Sequence, residues 1–191
     1  MNDDGATTVG YCTLQNNYRH SVCWLGGATK VTSLNCLADH SNTWAYSVSS
    51  DRNVIVDEST ELGNPSIGHA VLWKRNPDTN EFNIENLKDR PEPPQNIWKE
   101  QALGVNHDGT VIVGYVQAGK ATEAFIWRED ATPQVQKLED ITKGYKYSVA
   151  YDVIKKADGT IIIVGSSVLR DDSQAAVRWN NLSIDNLNVP S

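Results

Sequence analysis

The chain is 191 residues long, with 39% hydrophobic residues, a formal net charge of −7 and a sequence pI near 5.0; this length allows one domain or two small ones. An acidic chain lacks the clustered lysine and arginine that binding to a nucleic-acid backbone requires, so we expect no nucleic-acid partner. The sequence contains no apolar run of about 18 residues that would span a membrane, and its start, Met-Asn-Asp-Asp-Gly, does not resemble a signal peptide.

Three cysteines, Cys12, Cys23 and Cys36, lie near the start of the chain at spacings that match no zinc or haem pattern. We therefore expect neither a metal site nor a bound cofactor. If Cys12 and Cys23 lie on neighbouring strands of one hairpin, they could form a disulfide. The alternative is that the cysteines are small buried apolar residues.

A turn followed by a β-branched strand recurs along the chain. The first copy ends at Gly10, and the fullest copy begins with Asp108-Gly109 and ends at Gly114. Its Asp-Gly pair supplies the positive-φ position of a tight turn, and its Val-Ile-Val run is typical of a buried strand. The final glycine marks a point where the backbone needs room, and the fourth copy ends the same way at Gly165.

Three further segments accompany this turn and strand in the repeat. Downstream lies a short segment that ends in tryptophan, followed by a polar segment that closes on leucine. An Ala-x-x-Val segment precedes the phrase in the second, third and fourth copies. We name the four predicted strands a (Ala-x-x-Val), b (the β-branched run), c (ending in Trp) and d (ending in Leu). The recurrent tryptophans are Trp24, Trp73, Trp127 and Trp179.

This pattern predicts an all-β fold, a β-propeller-like array of four-stranded antiparallel repeats with four blades. The repeats form a single repeat domain and cover approximately residues 1–36, 37–89, 90–144 and 145–191. Repeat 1 lacks strand a. Because an unpaired strand edge allows a second chain to pair there, a homo-oligomer formed through this edge is one expected partner state.

Two repeats depart from the pattern. In repeat 2, Arg52 and Asp57 stand where the other copies have glycine, so we expect a different turn and a solvated strand end. Repeat 4 has one extra residue between Asp158 and Gly165. This insertion predicts a β-bulge in strand b.

The combination of Ala-x-x-Val, Asp-Gly, Val-Gly, a Glu/His-Ala-Phe/Val-x-Trp segment and a closing leucine phrase resembles a bacterial family of probable extracellular repeats, the HAF type. Residues 102–140 match it best, and partial copies extend over nearly the whole chain. The resemblance implies a secreted or cell-surface bacterial protein, and it implies no established biochemical activity.

The residues that recur once per repeat are expected to be structural. The recurrent tryptophans hold one position in each repeat, which is typical of packing between blades. The Asp-Gly turn and the glycines that end strand b are scaffold for the same reason.

Aromatic residues outside this series are the candidates for ligand binding. Trp44, Trp98 and Tyr147 each precede strand a, and the amides Asn42 and Asn96 lie beside the first two. Aromatic faces flanked by amides are typical of sugar sites, because the C–H face of a sugar stacks while its hydroxyls form hydrogen bonds. A lectin-like propeller is therefore one alternative function.

A second alternative is a glycoside hydrolase, which uses paired carboxylates. Asp57 is the candidate, since it replaces a glycine and could face a central opening, although sequence spacing does not pair it with a second acid. No nucleophile stands near a base in a catalytic pattern. The function we expect first is a non-enzymatic extracellular module that binds a protein or a glycan.

Overall fold

β-strands and turns make up the described part of the chain. The computed structural model describes residues 1–2, 4–26, 31–87, 97–140, 147–168 and 173–187. Those ranges contain no helix, and so none that is long and apolar enough to cross a membrane. In chain order the strands are β1 (Thr7–Thr13), β2 (Arg19–Leu25), β3 (Thr32–Ser33), β4 (His40–Val48), β5 (Val54–Glu61), β6 (Asn64–Arg75), β7 (Phe82–Asn86), β8 (Ile97–Val105), β9 (Val111–Ala118), β10 (Ala121–Arg128), β11 (Val135–Lys137), β12 (Ser148–Lys155), β13 (Ile161–Val168), β14 (Gln174–Asn180) and β15 (Ser183–Asn186).

The strands pair antiparallel with their neighbours in sequence. Repeat 1 forms the sheet β1-β2-β3, and repeat 4 forms β12-β13-β14-β15. Repeats 2 and 3 form β4-β5-β6-β7 and β8-β9-β10-β11, which are joined by a parallel bridge between Gly68 and Lys99. A parallel bridge from Thr122 to Tyr147 links repeat 3 to the start of repeat 4. The prediction of an all-β chain of antiparallel sheets is confirmed.

The aspartate of each a–b turn caps the backbone. Its Oδ1 accepts the N–H two residues later, at 3.1 Å for Asp108 and 2.9 Å for Asp158. Asp51 does the same at 3.0 Å, and Arg52 has a φ of 67°, close to the 74° of Gly109. The expectation of a different turn in repeat 2 is therefore wrong, because the arginine adopts the left-handed conformation that glycine adopts in repeat 3.

Strand a carries a β-bulge at one shared position in repeats 2, 3 and 4. The register shifts directly after the alanine of Ala-x-x-Val, and the residues left unpaired are Tyr46, Leu103 and Tyr151. A bulge bends its strand and redirects the unpaired side chain. These three side chains consequently leave the regular alternation of their strands.

The bulge predicted in strand b of repeat 4 is wrong. β13, all of which is described, pairs with β14 without a register shift. The inserted residue, together with two extra residues between Val153 and Asp158, instead lengthens the hairpin. Four residue pairs follow the strand-a bulge, from Asp152–Val164 to Lys155–Ile161, against two in repeat 3. A longer hairpin keeps its backbone groups paired, which a bulge would not.

Gly114 and Gly165 are needed because strand a passes close to strand b. A Cβ at Gly114 would lie 1.8 Å from the carbonyl oxygen of Gln101, and a Cβ at Gly165 would lie 2.0 Å from that of Val149. Both distances are far shorter than van der Waals contact. The two glycines lie within β9 and β13 rather than at the strand end that the sequence predicts, and they are required by the backbone itself.

Three apolar clusters form the core of the described residues, and each lies between two consecutive repeats. Alternate side chains of strand b enter different clusters. Val54 and Val56 pack toward repeat 3, whereas Ile55 packs toward repeat 1. The continuously apolar run of this strand thus reflects burial on both of its faces.

The recurrent tryptophans differ between the first repeat and the others. Trp73 and Trp179 are fully buried, and their indole N–H groups donate at 2.8 Å to the carbonyl oxygens of Asn35 and Glu139 in the preceding repeat. The recurring pattern predicts the same packing for Trp24, but its side chain is 41% exposed.

The cysteines are free thiols, and the disulfide alternative is wrong. Cys12 pairs with His20 across the β1–β2 hairpin, whereas Cys23 pairs with Val9. An odd residue offset separates the two pairs, so the two thiols lie on opposite faces of the sheet. Cys12 is exposed and Cys23 is buried, and burial raises the pKa of the Cys23 thiol.

Candidate functional site

An open cavity of about 600 Å³ lies where the a strands of repeats 2, 3 and 4 meet, and we call it the tyrosine cavity. Ring and amide side chains dominate its lining. The lining residues are Tyr46, Gln101, Leu103, Tyr115, Gln117, Thr122, Tyr147, Val149 and Tyr151.

The strand-a bulges position three of these residues. Tyr46, Leu103 and Tyr151 are the unpaired bulge residues of β4, β8 and β12. Because each bulge redirects its side chain at the same place in its repeat, the three side chains converge on one cavity. Tyr46 and Tyr151 remain 44% and 52% exposed, so their rings are accessible to a ligand.

Hydrogen bonds to Gln101 determine whether the Tyr46 and Tyr115 hydroxyls are left to donate or to accept. The Gln101 Nε2 donates to a carboxylate oxygen of Glu58 and, at 3.4 Å, to the Tyr46 hydroxyl. The Gln101 Oε1 accepts the Tyr115 hydroxyl at 2.6 Å. Tyr46 therefore keeps its own O–H to donate into the cavity, whereas the Tyr115 oxygen can only accept.

Glu58 supports this network from below the cavity. Its side chain is 1% exposed, and its Oε2 lies 3.2 Å from the ammonium of Lys99. Burial raises the pKa of Glu58, while its bonds to Gln101 and Lys99 oppose that shift. Gly68 leaves the space that this carboxylate fills, since a Cβ there would lie 2.1 Å from the Glu58 Oε1.

Tyr46 and Tyr115 stay neutral at physiological pH. Burial, followed by the nearby Glu58 carboxylate, raises the pKa of Tyr46 to about 12. The same two causes raise the pKa of Tyr115. Both hydroxyls are therefore protonated, and the cavity presents polar groups that carry no charge.

Asp57 does not have the solvated position that the sequence predicts. Its carboxylate is buried, accepts the Ser21 hydroxyl at 2.6 Å and also accepts the backbone N–H of Glu58. Burial raises its pKa well above the ordinary value, and these hydrogen bonds oppose the shift. Asp57 and Glu58 do not line the tyrosine cavity, so the two acids do not flank that opening.

The other ligand candidates lie at two places. Tyr147 lines the tyrosine cavity, as a sugar site would require. Trp44 instead lies under the guanidinium of Arg19, which stands 5.5 Å from its ring centroid, and Asn42 accepts the Arg19 backbone N–H at 3.0 Å. The Trp98 side chain and Asn96 lie outside the described residues.

A second cavity, of about 540 Å³, lies beside repeat 2 and contains a histidine pair. The rings of His40 and His69 are 5.2 Å apart between centroids. The His40 Nδ1 is 3.0 Å from the Ser59 hydroxyl, and the His69 Nε2 is 3.4 Å from a carboxylate oxygen of Glu61. Burial and then the neighbouring His69 lower the pKa of His40. Across the described ranges, no group of three or more His, Cys, Asp or Glu side chains could hold a metal ion.

Sequence reasoning missed most of the tyrosine cavity. Two of the missed residues carry a signal: Tyr46 and Tyr151 each follow the alanine of Ala-x-x-Val directly. A large ring at the same variable position of two repeats could have marked a shared surface. Gln101 and Glu58 carry no such signal, because their contact joins two different repeats.

No protein-family model matches the chain, and no curated protein matches it. The structure is similar to that of TolB from Acinetobacter baumannii, a β-propeller protein, with a TM-score of 0.59 at 13% sequence identity. The match covers 96% of this chain and 41% of the TolB chain, so this chain spans less than half the length of that protein. At this identity the likeness concerns the fold alone.

Proposed function

We propose that this chain is a non-enzymatic extracellular module of four propeller blades, and that its tyrosine cavity binds a neutral glycan. The observation that carries the proposal is the placement of four tyrosines around one open cavity, together with a glutamine held in a fixed orientation. An extracellular location follows from the resemblance to the HAF-type repeats.

The contacts between repeats support an arrangement in blades. Strand c of one repeat meets the start of the next repeat through Gly68–Lys99 and again through Thr122–Tyr147. Each apolar cluster lies between two consecutive repeats. Radial repetition of four-stranded sheets with such contacts is how a propeller is built, and TolB has that fold.

The cavity chemistry suits a sugar. A sugar presents a C–H face, which stacks on aromatic rings, and hydroxyls that both donate and accept hydrogen bonds. Tyr46 offers a donor and Tyr115 an acceptor, since Gln101 fixes both. Thr122 and Gln117 add further polar groups to the lining.

The electrostatics favour a neutral ligand over an anionic one. No lining side chain of the tyrosine cavity carries a charge, and the buried Glu58 carboxylate lies beneath it, bonded to Gln101. An acidic sugar would have to be desolvated near this carboxylate without a cationic partner in the lining, which is costly.

A glycan array, followed by calorimetry with the best ligand, tests this proposal. We expect neutral oligosaccharides to bind and sialylated ones to be rejected. Tyr46→Phe keeps the ring and removes one hydrogen-bond donor, a loss of about 1 kcal/mol, so affinity should fall about fivefold. Tyr151→Ala removes a stacking surface and should weaken binding about tenfold.

Tyr18→Phe is the matched control, since Tyr18 is an exposed tyrosine between β1 and β2 and lies outside the cavity. It should leave the affinity unchanged. The proposal fails if no glycan binds, or if the Tyr46 and Tyr151 variants bind as well as the parent chain. Binding of tetramethylammonium in place of any glycan would indicate a cation cage instead, and cleavage of the bound glycan would contradict the non-enzymatic assignment.

A further inference from the structure

The junction between repeats 1 and 2 has the same backbone arrangement as the junction between repeats 3 and 4, where the tyrosine cavity lies. The Ser21 N–H donates to the Thr43 hydroxyl oxygen at 2.8 Å. In the same way, the Ala124 N–H donates to the Ser148 hydroxyl oxygen at 3.0 Å. Strand c of one repeat therefore meets strand a of the next in matching register at both junctions.

The strand registers identify four equivalent positions at the two junctions. The equivalent pairs, with the residue between repeats 1 and 2 given first, are Tyr11 and Tyr115, Arg19 and Thr122, Trp44 and Val149, and Tyr46 and Tyr151. The second member of every pair lines the tyrosine cavity. The junction between repeats 1 and 2 thus has an arginine where the cavity has a threonine, and a tryptophan where it has a valine.

Arg19 contacts two aromatic rings at this junction. Its Cζ atom lies 5.7 Å from the centroid of the Tyr11 ring and 5.5 Å from that of the Trp44 ring. Its backbone N–H donates to the Asn42 side chain at 3.0 Å. Because both rings already restrict the guanidinium, a ligand that binds to it costs less side-chain entropy than one that binds a freely moving arginine.

The guanidinium of Arg19 keeps its hydrogen-bond donors available. The side chain is exposed, and within the described ranges no oxygen atom forms a hydrogen bond or an ion pair with the guanidinium. By contrast, Arg52 and Arg178 form ion pairs with Asp4 and Asp185. Arg19 is therefore a positioned cation without a bound anion.

We propose that Arg19, Tyr11 and Trp44 form a second ligand site, which binds a single carboxylate carried on an aromatic or apolar group. A planar guanidinium donates two parallel hydrogen bonds to a carboxylate, and this geometry gives specificity as well as affinity. The edges of the two rings carry partial positive charge and also favour an oxyanion. The apolar part of the ligand packs against the same rings.

The charge of the chain favours a ligand with one negative charge over a polyanion. The formal net charge is −7, which repels a dianionic phosphate or an acidic polymer more strongly than a monocarboxylate. Glu58 adds a buried carboxyl close by, since it pairs with Trp44 across β4 and β5. The site does not depend on glycan binding in the tyrosine cavity, so either proposal can fail without the other.

NMR titration of the full chain with N-acetylphenylalanine tests the site, and the primary amide of the same compound is the uncharged comparison. We expect the acid to bind with a Kd on the order of 1 mM and to shift the Arg19 Nε–H and Trp44 indole N–H signals. The amide should bind at least about tenfold more weakly, because it lacks the charge. Added salt should weaken binding of the acid.

Two substitutions at Arg19 separate charge from geometry. Arg19→Gln should weaken binding of the acid at least about tenfold, and it should fold normally because the side chain is exposed. Arg19→Lys keeps the charge but loses the bidentate geometry, so affinity should fall about threefold. Arg178→Gln is the matched control: this exposed arginine of β14 already has an ion-pair partner, and its loss should leave the affinity unchanged.

Several results would overturn the proposal. It fails if the acid and the amide bind alike, or if Arg19→Gln binds the acid as tightly as the parent chain. Shifts at Tyr147 and Tyr151 in place of Arg19 would put the ligand in the tyrosine cavity instead. Tighter binding of glucuronate than of N-acetylphenylalanine would contradict the need for an apolar group, and tighter binding of inorganic phosphate would contradict the choice of a carboxylate.

Discussion

Repeats 2 and 3 share a backbone and differ in chemistry at the centre of strand b. β5 and β9 pair with their neighbours in matching register, so Asp57 corresponds to Gly114 and Glu58 to Tyr115. In repeat 3 the glycine makes room for a carbonyl and the tyrosine enters the cavity. In repeat 2 two adjacent carboxylates are buried at the same positions.

The comparison shows how one scaffold holds different groups. Asp57 is accommodated by hydrogen-bond donors, among them the Ser21 hydroxyl and the Glu58 backbone N–H. Glu58 is accommodated by Lys99 and by the amide of Gln101. Buried carboxylates are costly unless such partners are present. Apart from the Glu58 N–H, these partners come from neighbouring repeats, so the exchange of one residue depends on the repeats beside it.

The largest loss of stability is expected when the aspartate of repeat 2 is placed at the matching position of repeat 3. Gly114→Asp places a Cβ 1.8 Å from the Gln101 carbonyl oxygen and a carboxylate at a buried position of β9. We expect a loss of about 4 kcal/mol or more, or the loss of cooperative unfolding, measured by denaturant titration.

Gly10→Asp is the matched control for this exchange. Gly10 has the same position in repeat 1, but a Cβ there meets only the Trp24 ring at 3.9 Å. The cost should stay below about 1 kcal/mol. If both variants unfold alike, the close approach of strand a is not what requires glycine at Gly114.

The second test concerns the charge pair that supports Gln101. Lys99→Met leaves the buried Glu58 carboxylate without its cation and should cost about 2 kcal/mol, less than a fully buried pair because Lys99 is partly exposed. Adding Glu58→Gln removes the uncompensated charge and should restore most of that loss. Denaturant titration of the two single variants and the double variant measures the coupling.

Lys74→Met tests whether any lysine would behave in this way. Lys74 pairs with Glu129 at 2.5 Å, but on a more exposed surface, so its loss should cost less than about 0.5 kcal/mol. Equal losses for the two lysine variants would contradict a special role for the buried Glu58.

The strands could be predicted from the sequence because their signals are local. A β-branched run such as Val111 to Val113 and an Asp-Gly turn specify a hairpin within a dozen residues. The role of Gly114 could also be predicted from the sequence, because this glycine is required by the backbone of its own repeat.

The tyrosine cavity could not be predicted in the same way. It depends on three bulges that direct Tyr46, Leu103 and Tyr151 into one cavity. These bulges lie within the Ala-x-x-Val segment and do not alter it, so the sequence does not reveal them. The prediction that Asp57 is solvated is wrong for a related reason. Its side-chain donor, the Ser21 hydroxyl, comes from another repeat, and the sequence of a single strand gives no sign of it.

The pH dependence of stability tests the burial of Asp57, and it should give the smallest effect. Its pKa is raised in the folded chain, so the protonated carboxyl is favoured there. The stability that this group contributes is fully present below its unfolded pKa of about 3.9 and is lost as pH rises through the folded pKa. The free energy of unfolding of the parent chain should therefore fall, relative to that of Asp57→Asn, as pH rises from about 4 toward neutrality.

Asp158→Asn should show the opposite trend, which separates burial from a general effect of carboxylates. The backbone N–H of Thr160 holds the pKa of Asp158 below its usual range, so the stability contributed by Asp158 is present above its unfolded pKa and is lost as pH falls. Denaturant titrations of both variants at several pH values compare the two slopes. Slopes of the same sign would mean that Asp57 is hydrated in solution, and the contrast between repeats 2 and 3 would then rest on Glu58 alone.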